Sequence, residues 1–175
     1  MTIFSIVFDE IGFTDNPSWA SCYCHFYHFD GSRKNWSKRT KEQNRKASKE
    51  LIISGKMKGF LAYFNNKPIG WCNANSKNNY SHIPYKADID LKKKVGTIVC
   101  FLISPSYRKK GVARLLLKET CDYYENKKYD YLESYPTKEL QSDAHNYHGP
   151  FRLYLSEGFT IYDELDRIYV MRKYL

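Results

Sequence analysis

The sequence predicts a mixed α/β domain, with a central mixed, mostly antiparallel sheet of about seven strands and helices on both faces. Three observations predict it. Thr97 to Ile103 is a continuous β-rich apolar run, which suits a strand covered on both faces. Pro105 closes that run, and Arg108-Lys-Lys-Gly111-Val-Ala113 turns into a helix whose apolar positions Ala113, Leu116, Leu117, Thr120, Cys121 and Tyr124 follow helical spacing. Short strand-forming segments bounded by turn residues flank this unit, giving the order β–α–β–β–β–α–β–α–β–β.

Ile3 to Phe8 reads as the first strand, broken by Thr14-Asp-Asn-Pro17-Ser. The aromatic stretch Trp19 to Phe29 contains Cys22-Tyr-Cys24-His25-Phe-Tyr-His28, which invites a zinc reading. On a strand Cys22 and Cys24 face one side and His25 the other, so they converge only in a loop; no metal is expected, and a pocket wall or core packing accounts for the pattern. Thr40-x-x-Gln43 is a capping box for a helix that runs to Ser54 and stops at Gly55. Ala47 and Leu51 give that helix a thin apolar stripe, while Lys38, Arg39, Lys41, Arg45, Lys46 and Lys49 make a basic, solvated surface.

Phe60 to Phe64 and Ile69 to Asn73 form a hairpin around Asn65-Asn-Lys-Pro68. Lys58-Gly59-Phe60 begins like the sheet motif of RNA-recognition domains, but Leu61, Ala62 and Tyr63 depart from it. Residues 75–94 are polar and read as a surface loop. Tyr131 to Tyr135 is a strand centred on Glu133, and Ser142 to Pro150 a loop carrying Asp143, His145, Asn146, Tyr147 and His148. Phe151 to Ser156 is a short helix stopped by Gly158, and Phe159 to Tyr162 pairs with Ile168 to Arg172.

At 175 residues the chain is one domain that buries roughly two-thirds of its unfolded surface. Hydrophobic and charged fractions of 42% and 27% argue against disorder. The formal net charge of +9 favours an anionic ligand, without separating a small anion from nucleic acid or an acidic surface. The apolar N-terminus lacks a basic leader region, no apolar run reaches membrane-spanning length, and five scattered cysteines suggest free thiols in a reducing cytoplasm.

Arg108-x-x-Gly111-x-Ala113 after Ile103-x-Pro105, together with Tyr154-x-x-x-Gly158-Phe159, resembles the acyl-CoA signature of the GNAT superfamily of N-acetyltransferases. The resemblance spans residues 58–172, the CoA-binding and catalytic core. Residues 1–57 are the variable, acceptor-side part of a single domain over 1–175. It implies a sheet splayed between its middle strands and acetyl-CoA as acyl donor, without a metal. It also implies direct attack by a primary amine of a small molecule or peptide in a ternary complex. The CoA pyrophosphate would sit on the turn at Arg108, Lys109, Lys110, Gly111, Val112 and Ala113, a helix N-terminus that presents unpaired N–H groups. Pantetheine would lie along Phe101, Leu102 and Ile103, with Asn146 nearby. No nucleic-acid or membrane partner is expected, and a homodimer is compatible with the pattern.

Amide formation from a thioester needs a neutral amine, a stabilised carbonyl oxygen and a proton for the departing thiolate. Tyr154 matches the family's general acid: a tyrosine of pKa about 10 is protonated at neutral pH, and its mismatch with a thiol costs roughly 2 kcal/mol. With sixteen tyrosines in the chain, a core tyrosine is the rival reading. Glu133 in its apolar strand either pairs with a cation or serves as the base, and His145, Asp143, His25 or a water molecule share that role with it. Cys100 and Cys121 read as small core residues rather than nucleophiles. A CoA-binding module without turnover is the main alternative function, with a basic nucleic-acid-binding protein behind it.

Overall fold

The computed structural model describes residues 3–86, 92–139 and 141–175. A six-stranded sheet runs in the order β1-β2-β3-β4-β6-β5. Its strands are β1 Gly59–Phe64, β2 Lys67–Ser76, β3 Val95–Ile103, β4 Tyr131–Ser134, β5 Thr160–Glu164 and β6 Tyr169–Tyr174. Only β3 and β4 run parallel; every other neighbouring pair is antiparallel.

The count is six rather than seven because the Ile3–Phe8 segment is helical. It forms α1, Ile3–Ile6, which runs on into a π-turn over Val7–Ile11. Phe4, Val7 and Phe8 are its buried apolar members, an i, i+3, i+4 spacing that puts them on one helical face. A short apolar run fits either element, and here packing against Trp71 and Leu102 decides it.

The other helices are α2 Arg33–Trp36, α3 Lys41–Ile53, α4 Val112–Asn126 and α5 Phe151–Ser156. α3 begins as the capping box requires: Gln43 N donates to Thr40 Oγ1 at 3.2 Å and Thr40 N to Gln43 Oε1 at 3.0 Å. It ends at Ser54 and Gly55, the latter at φ +71°. The β1–β2 turn is Asn65-Asn66, both at positive φ, as a tight hairpin demands. The loop expected over 75–94 starts later, since β2 continues to Ser76; residues 87–91 of it lie outside the described residues.

Alternation along the strands gives each sheet face its own layer. Cys72, Ala74 and Phe101 pack with Leu116, Leu117 and Cys121 of α4, while Trp71 and Leu102 face α1 and Tyr23. Helices thus cover both faces, and β3 is buried along nearly its whole length. No described helix is long and apolar enough to cross a membrane.

Candidate active site

β3 delivers the chain to a turn. Ser104 N donates to Ile69 O at 2.9 Å, Pro105–Tyr107 forms a single 3-10 turn, and Gly111 at φ +83° is the N-cap of α4. A left-handed residue is needed there, and a Cβ built on Gly111 would meet nothing within 4 Å, because the turn opens outward. The first intrahelical bond is Leu115 N to Gly111 O, so the N–H groups of Val112, Ala113 and Arg114 have no acceptor within the helix. They open on a cavity of about 670 Å³ that Gly111, Val112, Ala113 and Arg114 help to line. The donor set, backbone amides at the positive end of a helix, fits a pyrophosphate.

The cationic side chains at this turn are already shared. Arg108 Nη1 and Nη2 grip the Asp15 carboxylate, the second at 3.1 Å, and Arg108 Nε donates to Ile103 O at 3.1 Å. Hydrogen bonding from Arg108 holds the Asp15 carboxyl below the usual carboxylate range. Lys109 Nζ lies 2.9 Å from Asp143, and Lys110 Nζ sits over the Tyr107 ring at 5.7 Å. Arg108 therefore ties the N-terminal segment to the end of β3.

The sheet opens beside this turn. β3 and β4 pair only from Val95–Tyr131 to Ile98–Ser134, and Val99 is the extra residue of a bulge against β2. Beyond that point the free edge of β3 meets residues 147–149. Phe101 N donates to Tyr147 O at 2.6 Å. Tyr154 Oη donates to His148 O at 2.6 Å, and the His148 ring meets the Val99 backbone. Two donors from different elements thus hold two consecutive carbonyl oxygens. Gly149, at φ +82°, lets the segment turn here: a Cβ on it would lie 3.1 Å from Phe101 and 3.2 Å from Tyr154.

The far end of the cavity is aromatic. Trp19, Phe26, Tyr27, Trp36 and Tyr147 line it, with the thiols of Cys22, Cys24 and Cys100. Tyr23 and Cys24, at φ +47° and +49°, bend the Cys22–His28 stretch into a loop that continues as a 3-10 turn over Phe26–His28. α3 fixes this loop from behind, with Asn44 Nδ2 donating to Ser21 O and Ser48 Oγ to Tyr23 O, each at 2.9 Å. No group of three metal-ligating side chains exists among the described residues.

A family model described as the acetyltransferase (GNAT) family matches residues 19–149, three-quarters of the chain and the span that carries most of the cavity lining. The chain belongs to the GNAT acetyltransferase family. Solved structures agree on the fold. The PaiA N-acetyltransferase from Thermoplasma acidophilum, in complex with coenzyme A, has a TM-score of 0.58 at 17% identity, with 99% of this chain and 92% of that one covered. PH1933 from Pyrococcus horikoshii OT3 gives 0.53 at 18% identity, with 92% of each chain covered. The ribosomal-protein-alanine N-acetyltransferase from Brucella melitensis gives 0.52 at 14% identity, covering 78% and 80%. No curated protein matches the chain by sequence.

Within this GNAT domain the expected residues fall into two groups. Phe101, Leu102, Ile103, Arg108, Lys109, Gly111, Val112, Ala113 and Asn146 line the cavity; Lys110 is exposed beside the turn. Asn146 Oδ1 has no hydrogen-bond partner among the described residues. Tyr154 and Glu133 are fully buried and are not part of the cavity wall. Tyr154 packs between Phe101 and Phe159, one layer behind Gly149, and burial pushes its hydroxyl well above the usual tyrosine range.

Glu133 departs from the expectation of a base. Its carboxylate accepts from Lys77 Nζ at 2.7 Å, Arg172 Nε at 2.9 Å and Tyr135 Oη at 2.5 Å. With two cations and a phenol around it inside the sheet, it has no face left for an amine. Of the other base candidates, Asp143 lines the cavity but is paired with Lys109. His25 is buried against Phe29 and Trp36, and burial brings its pKa down to about 4. His145 packs on Trp19 and bonds Ser142.

Proposed function

We propose that this GNAT domain transfers an acetyl group from acetyl-CoA to a primary amine by direct attack in a ternary complex. One observation supports it above the others: the anion-binding turn and the splayed edge of β3 open on one cavity, which continues into an aromatic chamber with room for a second substrate. Acetyl-CoA would supply an acyl group activated as a thioester. The first-turn N–H groups of α4 would take the pyrophosphate, and Asn146 Oδ1 is a free acceptor for an amide N–H of the pantetheine.

Phe101 N–H and the Tyr154 hydroxyl are the two donors the chemistry needs. Both hold carbonyl oxygens of the chain itself, those of Tyr147 and His148. In the reading proposed here residues 147–149 withdraw, the thioester carbonyl takes the Phe101 N–H, and the sulfur comes within reach of Tyr154. The amine lone pair forms the new C–N bond while the C–S bond breaks. Phe101 N–H stabilises the oxygen as it gains charge, and Tyr154 gives its proton to the leaving thiolate, regaining one from the amine nitrogen through solvent.

A CoA-binding module without turnover is favoured by one observation, the engagement of both donors by internal carbonyls. A thiol-release assay with acetyl-CoA across amines of varied charge and size separates the two readings. Transfer predicts amine-dependent release of free CoA thiol and acetylated amine in equal amounts. Tight CoA binding with no release on any amine would establish the module.

A further inference from the structure

We infer that the acceptor is a monoamine on an apolar, aromatic body, an arylalkylamine, rather than a polyamine, an aminoglycoside or an amino acid. The inference rests on the acyl-transfer reading and specifies its second substrate. It follows from where charge lies along the cavity. Among the described lining residues the charged side chains are Arg108, Lys109, Arg114 and Asp143. Three of these belong to the turn and first helical turn that form the anion end. The fourth, Asp143, is bound to one of them, Lys109, at 2.9 Å.

The opposite end presents Trp19, Phe26, Tyr27, Trp36 and Tyr147. Burial pushes the Cys22 thiol there up to about 12 and the Tyr27 hydroxyl well above its usual value, so both stay uncharged. Trp19 meets Tyr147 edge-on at 5.3 Å and Trp36 meets Phe26 edge-on at 5.2 Å, so the rings pack against one another across the chamber.

An uncharged aromatic chamber discriminates by what it leaves unpaired. A polyamine or aminoglycoside carries further ammonium groups into it with no carboxylate to meet them, and an amino acid carries a carboxylate with no cation. An arylalkylamine brings one nitrogen and a ring that fits between rings. The same surroundings disfavour its ammonium form, so the nucleophile arrives as the free base that attack requires. A dedicated carboxylate base is then unnecessary, in keeping with the full occupation of Glu133.

The test compares 2-phenylethylamine and tryptamine with spermidine, kanamycin and glycine, by thiol release and by quenching of tryptophan fluorescence with CoA present. The arylalkylamines should exceed the others in kcat/KM by roughly 10- to 200-fold, the scale set by apolar pocket contacts. Trp36→Leu should cut that advantage several-fold while leaving CoA affinity unchanged. Preference for spermidine, kanamycin or glycine in either readout overturns the inference and leaves acyl transfer standing. Tight arylalkylamine binding with no thiol release from any amine upholds the chamber's selectivity and overturns the transfer reading instead. Failure of the arylalkylamines to bind, with CoA bound normally, overturns the inference outright.

Discussion

The two ends of the cavity are built on different length scales. Its anion end comes from one uninterrupted stretch, β3, a 3-10 turn, Gly111 and α4, whose conformation is dictated by a buried strand, a proline and a left-handed glycine. The aromatic end draws on Trp19, the Cys22–Tyr27 loop, Trp36 and Tyr147, brought together by tertiary ties such as Asn44 to Ser21 and Ser48 to Tyr23. A locally coded end is insensitive to change elsewhere in the chain. An end assembled from distant pieces can be reshaped by any of them, so the acceptor is the substrate this architecture lets vary.

The largest effect should come from Gly111→Val. A branched residue at φ +83° is strained, and its side chain would occupy the open space above the turn. CoA binding by calorimetry should be lost while the thermal unfolding transition remains cooperative. Retained affinity would separate the turn from CoA.

Glu133→Ala should be the most destabilising single change at the sheet centre, by about 3–5 kcal/mol, since it strands the buried Lys77 and Arg172 charges. CoA affinity of the folded fraction should be unchanged. A drop in kcat without loss of stability, measured by urea unfolding beside steady-state turnover, would return Glu133 to the mechanism.

Acid should act through the aromatic end and the splay rather than through the turn. Burial lowers His25, His28 and His148 to about 4, whereas the unfolded chain titrates near 6.5. Between these values the unfolded state binds more protons, so stability is lost as pH falls from about 6.5 towards 4, by up to roughly 1.4 kcal/mol per pH unit for the buried His148. His148→Gln should flatten that decline in a pH series of denaturation midpoints; an unchanged slope would exclude it as the source.

The smallest effect concerns the tie between the two ends. Asp15→Asn weakens a half-exposed pair with Arg108 and should raise the KM for the amine about two- to five-fold, with less effect on that for acetyl-CoA. A rise confined to the KM for acetyl-CoA would mean that Arg108 acts on the donor alone.

Much of the framework is legible in the sequence because its signals are local. Thr97–Ile103 is a strand, Gly111 starts a helix, Thr40 and Gln43 form their box, and Asn65-Asn66 turns the hairpin. Ile3–Phe8 misled because a short apolar run carries no decisive period, although Phe4, Val7 and Phe8 hold the helical spacing. A carboxylate in an apolar strand announces that Glu133 needs partners, but Lys77 and Arg172 lie 56 and 39 residues away and carry no marker of their own. Asp15 is 93 residues from Arg108, and the acceptors at Tyr147 and His148 are main-chain carbonyls, which every residue has. Tertiary pairing of this kind is invisible to local pattern.

We propose that Tyr154 delivers the proton at the point where β3 and β4 part. Tyr154→Phe removes one oxygen and almost no volume, leaving the ring packed against Phe101 and Phe159. With a confirmed acceptor at saturation, kcat should fall by a factor of about 10² to 10⁴ while CoA affinity stays within two-fold. The deficit should shrink with a thioester whose thiol is more acidic, because such an anion leaves with less help. A wild-type kcat in Tyr154→Phe would contradict the claim and move the proton donor to Tyr147, whose side chain lines the cavity.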